Sequence, residues 1–293
     1  MTQDQAAIES EVGNPSDRWE VLKDRVQAEA VQKFAAAQAE WLGLMWCLDA
    51  YRAADVVPRG SDDLAALNRN KGNWFSELVA LLLQNQTSQE IGSRTKVQGF
   101  SQVHQVDVAW PVRRVDPLIC VETKVTGGPP YGDRPPRGAL SDWTNRRKEL
   151  KFAATDLKLF RRQQETTIEH WDVWRATAPP RCYFIWAARL RTEAGKTRDK
   201  IESMANEAQS LINTYLEGAG IFGWKASANG GYEPVPLPSL ARVTSLDDVL
   251  YRIATEIRQM LDSSGLAPDP VVPSKLAVDT GLEAEDEEEP KFP

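Results

Sequence analysis

Two short runs constrain this chain more than any other part of it: Gln-Val-Asp-Val-Ala-Trp at residues 105–110 and Cys-Val-Glu-Thr-Lys at 120–124. Successive side chains of a strand point to opposite faces. Glu122 and Lys124 therefore share one face, while Val121, Thr123 and Val125 take the other. The connection is short, with a turn expected around residues 113–117, so the runs read as hairpin partners that set Asp107 beside Glu122. Two carboxylates meeting at a sheet edge repel one another unless positive charge stands between them, and a divalent cation supplies it. A lysine two residues on can hold or activate a water near that cation. Such a group suits phosphodiester hydrolysis, because a metal neutralises the phosphate and lowers the pKa of bound water.

The rest of the chain supplies a frame for this pair. Trp19, Leu22, Val26, Ala30, Phe34, Ala37, Trp41, Met45 and Leu48 keep a three-or-four spacing that predicts one long helix. Asp17 and Glu20 start it in capping-box fashion, and Pro58, Arg59, Gly60 and Ser61 end the region. A second helix is expected over residues 73–84, capped by Asn73. Glu77 lies on its apolar side, between Trp74 and Leu81, where an unpaired carboxylate is costly. Either an arginine such as Arg94 pairs with it, or it belongs to the metal site. Residues 127–138 hold four Gly and four Pro and form a loop; a long helix follows over 141–164, then a buried strand over 181–190. Further on, a helix is expected over 197–217, a short strand over 221–225 and a last helix from Ser245 to about Asp262. Gly218, Gly220 and Gly223 spell a dinucleotide-binding fingerprint, but they follow a helix and not a strand, so a helix cap and turn is expected there. These elements predict an α/β protein with a mixed central sheet flanked by helices. The expected parts are a flexible arm (1–15), an N-terminal helical region (16–72), a core (73–190), a C-terminal helical extension (191–264) and a disordered acidic tail (265–293).

Charge must be read by position. The formal charge of −7 comes from 35 bases and 42 acids, but residues 268–293 alone hold eight acids and two bases. The body, left with 34 acids and 33 bases, is nearly neutral and not of a kind that repels nucleic acid. Residues 134–162 carry nine bases and three acids. Arg147, Lys151, Lys158 and Arg162 fall within an arc of about 60° on the long helix, a stripe that either tracks phosphates or is a solvated face. Arg134 and Arg137 sit on the loop, which either enters a groove or is a surface connection. Trp110 and Trp143 are the two of the ten Trp considered for base contact; the others are assigned to the core. No apolar run is long enough to cross a bilayer, and the polar N-terminus lacks a signal-peptide pattern, so a cytoplasmic protein is expected. Cys47, Cys120 and Cys182 fit neither a disulfide framework nor a zinc site and are expected as buried thiols. His104 and His170 are too few for a multi-histidine metal site.

Glu77 on a helix, Asp107 on one strand and Glu122-x-Lys124 on the next resemble the PD-(D/E)XK nuclease superfamily, the restriction-endonuclease-like fold. The resemblance spans residues 73–190, about 40% of the chain, and Val106 stands where the pattern has Pro. Glu149-Leu150-Lys151 and Asp156-Leu157-Lys158 carry the same short spacing on a helix, where residues two apart share no face. The resemblance implies a restriction-endonuclease-like core and Mg²⁺-dependent cleavage of DNA, with Mn²⁺ able to substitute. It assigns Asp107 and Glu122 as metal ligands, Glu77 as completing or supporting their site, and Lys124 to the attacking water. Arg134, Arg137, Arg147, Lys151, Lys158 and Arg162 would hold the DNA backbone. It also implies a restriction or phage-defence endonuclease; the alternatives are a repair or recombination nuclease, or a non-catalytic DNA-binding or assembly protein that retains the fold. The expected partners are DNA, a second copy paired through the long N-terminal helix, and a protein bound by the acidic tail.

Overall fold

The computed structural model describes residues 3–112, 117–131, 133–167, 179–193, 196–238 and 242–264; the expected acidic tail and most of the expected turn at 113–117 lie outside them. Four helices come first: α1 (Gln3–Val12), α2 (Pro15–Ala28), α3 (Phe34–Ala53) and α4 (Leu64–Thr87). Strands β1 (Gly92–Gln98), β2 (Val103–Trp110) and β3 (Ile119–Thr126) follow, then helix α5 (Trp143–Thr167) and strand β4 (Arg181–Arg189). The chain continues through the small pair β5 (Thr192–Glu193) and β6 (Lys196–Thr197), helix α6 (Ile201–Gln209), strands β7 (Gly218–Ala226), β8 (Tyr232–Val235) and β9 (Val243–Thr244), and helix α7 (Leu246–Ser264). The main sheet runs β1-β2-β3-β4-β7-β8, with β9 also paired to β7. Its β3–β4 and β4–β7 pairs are parallel, and β1–β2, β2–β3 and β7–β8 are antiparallel. The architecture is α/β, with a mixed seven-stranded sheet flanked by helices.

Both faces of the sheet are covered. Val108, Val121, Tyr183, Ile185, Ala187 and Trp224 pack with apolar residues of α2, α3, α4 and α7. Cys120, Cys182, Phe184, Trp186 and Ile221 pack on the other side with α5 and α6. Hence the central strand β4 reads as a continuous apolar run, as a strand covered on both faces must. All three cysteines are buried thiols, as expected. Trp110 and Trp143 are core residues, 3% and 8% exposed, and Trp143 stacks on Trp186 with ring centroids 4.4 Å apart. Neither is placed for base contact.

Several expectations are corrected. Residues 3–12 form a helix with Val12 buried where a flexible arm is expected. The long N-terminal helix is two helices. Ala30 adopts the left-handed region (φ 47°), and the Val31 N–H returns to the Val26 carbonyl at 3.0 Å, which closes α2. The Asp247 carboxylate, from α7, then accepts the Phe34 and Ala35 N–H groups at 2.5 and 3.2 Å and opens α3. The apolar residues of that region, among them Trp19, Leu22, Val26, Trp41 and Leu48, are buried inside the chain. Asn14, followed by Pro15, caps α2 in place of Asp17. Asp63 caps α4 by accepting the Ala66 N–H, so this helix begins at Leu64, more than two turns ahead of the expected cap at Asn73. Only residues 201–209 of the expected 197–217 helix are helical. The glycine fingerprint lies within buried β7 and is not a turn. A Cβ on Gly220 would stand 2.3 Å from Val249 Cγ1, so the missing side chain is what lets α7 close on the sheet.

Candidate active site

Strands β2 and β3 pair as Val108 with Val121, Ala109 with Cys120 and Trp110 with Ile119. One step further along this register Asp107 stands across from Glu122, as the alternation predicts. Here the Asp107 side chain takes over from the ladder: its Oδ2 accepts the Thr123 backbone N–H at 2.8 Å and the Thr123 hydroxyl at 3.2 Å. Thr123 points to the α4 side of the sheet, with its hydroxyl 2.8 Å from Ser76 Oγ. On the opposite face the Lys124 ammonium donates to Glu122 Oε1 at 2.5 Å and lies 3.7 Å from Asp107 Oδ2. Asp107, Glu122 and Lys124 are each roughly a quarter exposed, at 21, 29 and 24%.

This placement sets the charges. Glu122 lines an apolar cavity of about 240 Å³ with Cys120, Leu150, Ala154, Leu157 and Cys182. Loss of water there, then the Asp107 charge, pushes its carboxyl up to about 7, against the pull of Lys124. For Lys124, burial disfavours the ammonium, but the charges of Glu122 and Asp107 outweigh it and hold its pKa above the ordinary value. A carboxyl raised in the folded state binds more protons there than in the unfolded chain, so its effect is to lower stability as pH rises. In the absence of metal, stability is expected to fall between about pH 4.5 and about pH 7, by an amount on the order of 1 kcal/mol after allowing for partial exposure. Glu122→Gln should flatten that slope in denaturant titrations across this range. An unchanged slope would show that Glu122 is not held in this state.

Glu77 does not join the carboxylates. It pairs with Lys23 of α2 at 2.9 Å, in place of either Arg94 or the acids of β2 and β3. The residue of α4 that meets β3 is Ser76, one position earlier and about 100° around the helix. Among the described residues no three His, Cys, Asp or Glu side chains converge as a metal cluster.

The basic stripe of α5 is largely committed to its own protein. Arg147 pairs with Glu207 of α6 at 3.5 Å, Lys151 lies over the Tyr215 ring at 5.0 Å, and Lys158 bonds Glu217 and the Tyr215 carbonyl at 2.8 and 2.9 Å. The Arg162 side chain lies outside the described residues. Arg134 is exposed at the loop tip, where its backbone pairs with Tyr131. Of the expected DNA contacts whose side chains are described, Arg137 alone shares a cavity with Lys124. It lines a second cavity, of about 200 Å³, with Lys124, Arg52, Lys71 and Arg146.

Three of those cations, Arg52, Lys71 and Arg146, are not among the residues the sequence points to. Lys71 sits within a buried group: Asp49 Oδ1 accepts from its ammonium at 3.3 Å, Asp49 Oδ2 from the Tyr232 hydroxyl at 2.5 Å, and the Arg189 guanidinium donates to that hydroxyl at 2.9 Å. The sequence signal for Lys71 is its place four residues before Phe75 on the buried side of α4; for Arg146, only its position beside Arg147. Arg52 carries none. No family model, curated protein or solved structure matches this chain.

Proposed function

We propose that the protein is a metal-dependent nuclease that hydrolyses phosphodiester bonds of DNA, with Asp107, Glu122 and Lys124 as its reactive group. The observation that carries the reading is the meeting of two carboxylates on adjacent strands, with one ammonium bonded to Glu122 and 3.7 Å from Asp107. Asp107 Oδ1 and Glu122 Oε2 accept no hydrogen bond among the described residues, so each acid keeps an oxygen for a ligand. Mg²⁺ is commonly held by one or two carboxylates, with water and substrate phosphate completing its shell, and the pair fits that demand without Glu77. A bound Mg²⁺ or Mn²⁺ would supply charge neutralisation and acidified water. The chain's own part follows from the contacts. Thr123 fixes the Asp107 carboxylate through two hydrogen bonds. Glu122, whose carboxyl burial and the Asp107 charge push up to about 7, would offer its other oxygen to a bound cation. Lys124 can leave Glu122 to orient the attacking water and offset charge gathering on the phosphate.

A restriction-endonuclease-like core, endonucleolytic cutting and a restriction or phage-defence setting are further parts of the proposal, supported by the resemblance of Asp107 and Glu122-x-Lys124. The test is incubation of supercoiled and linear DNA, methylated and unmethylated, with Mg²⁺ or Mn²⁺. Metal-dependent products, lost with a chelator, are expected. Binding without cleavage on every substrate would turn the reading to a non-catalytic DNA-binding protein.

A further inference from the structure

The cavity at the end of β3 is walled by α3 and α4 through Arg52 and Lys71, by Lys124, by the loop through Arg137, and by the start of α5 through Asp142 and Arg146. The chain must turn sharply to make that wall. Gly127 has φ +77°, and a Cβ there would stand 2.2 Å from the Arg189 carbonyl oxygen. Gly128 then pairs with Arg137, which brings the loop back over the cavity.

The charges of the wall are unevenly matched. Asp49 holds Lys71, Glu122 holds Lys124, and Glu149 and Asp142 hold Arg146. Asp49 must also serve Arg189, 3.8 Å away, so that buried group carries one positive charge in excess. Arg52 has the neutral Asn68 amide at 2.5 Å and the Tyr131 ring. Arg137 has no carboxylate partner among the described residues. Two guanidiniums, which suit bidentate phosphate contact, thus face the cavity without a compensating acid. The positive end of the 25-residue helix α5 adjoins them at Arg146.

We infer that this cavity is a binding site for a terminal phosphomonoester of a nucleic-acid strand, and that it directs the neighbouring carboxylates to strand ends and breaks. A phosphomonoester carries about −1.5 to −2 near neutral pH, against −1 for a backbone diester, and matches the two unpaired guanidiniums. About 200 Å³ is below the ~300–1,000 Å³ of sites that enclose drug-sized ligands, so the cavity takes a phosphate group and not a whole nucleotide. Lys124 belongs to both sites: its ammonium bonds Glu122 while its side chain lines the cavity. A terminal phosphate seated there places the adjoining strand beside Asp107 and Glu122. The choice of a nucleic-acid end rests on the nuclease reading; the phosphate site rests on the cavity.

Binding is measured in a chelator, so that no cleavage intervenes, with three short duplexes, 5′-phosphorylated, 3′-phosphorylated and unphosphorylated, each with and without added inorganic phosphate. One phosphorylated end should bind about 10-fold more tightly than the hydroxyl ends. Inorganic phosphate at constant ionic strength should compete with the phosphorylated end. Arg52→Ala should remove the preference while binding of the unphosphorylated duplex stays within about twofold, and Arg137→Ala should remove the preference as well. Equal binding of all ends overturns the inference, as does inorganic phosphate binding with no preference among ends, or a preference that survives both variants. A preference without metal-dependent cleavage keeps the site and removes the nuclease reading. Cleavage without a preference does the reverse.

Discussion

Lys124→Ala is expected to lower metal-dependent cleavage by at least about 100-fold, and Asp107→Asn by about 100- to 1,000-fold, the range for loss of a group that stabilises charge in a transition state. Glu77→Gln should stay within about twofold of wild type, because Glu77 spends its charge on Lys23 at a partly exposed pair. The contrast matters more than either loss. Asp107 and Lys124 stand with Glu122 on one strand pair, whereas Glu77 has the motif position without the geometry. Single-turnover assays on one duplex, with DNA affinity measured in a chelator, separate chemistry from binding. Full activity in Lys124→Ala would end the assignment of this lysine to the attacking water. Loss of activity in Glu77→Gln with stability intact would mean that α4 moves to bring Glu77 to the metal when substrate binds.

Asp49→Ala is expected to cost roughly 3–5 kcal/mol of stability, the scale for removing one partner of a buried ion pair. Asp49, Lys71 and Arg189 are 7, 7 and 12% exposed at their side chains. Deleting the acid leaves two cations and the Tyr232 hydroxyl without their shared acceptor. Burial, the largest cause that holds the Tyr232 hydroxyl far above its ordinary value, remains when Asp49 is removed. Denaturant midpoints for wild type, Asp49→Ala, Lys71→Met and the double variant give the coupling directly. The double variant should be more stable than Asp49→Ala alone, because Met fills the same space without a charge. Additive losses would show that the pair is not coupled and that the lysine is hydrated.

Much of the fold is legible in local pattern. The alternation of residues 105–110 and 120–124 places Asp107, Glu122 and Lys124 together, and the apolar run at 181–190 marks a strand covered on both sides. Such features depend on side-chain period and need no knowledge of the rest of the chain. Helix ends are less legible. The spacing from Trp19 to Leu48 continues across a break that Ala30 and the Asp247 cap impose. That cap comes from 213 residues away, and no local window contains it. The glycines at 218–223 mislead for a related reason. They look like a turn by composition, but they are small because α7 presses on β7 at Gly220.

The site divides along the same line. That two acids and a lysine share a strand pair follows from residue order, because a two-residue period leaves no other placement for Glu122 and Lys124 once residues 120–124 are extended. Which other charges reach them was left to long-range packing. It turned Glu77 to Lys23, spent Arg147 and Lys158 on acids of the C-terminal region, and brought Arg52, Lys71, Arg137 and Arg146 from four separate segments to one cavity. A helix face is set by what packs against it, and whether a charge is free depends on the partner that packing supplies.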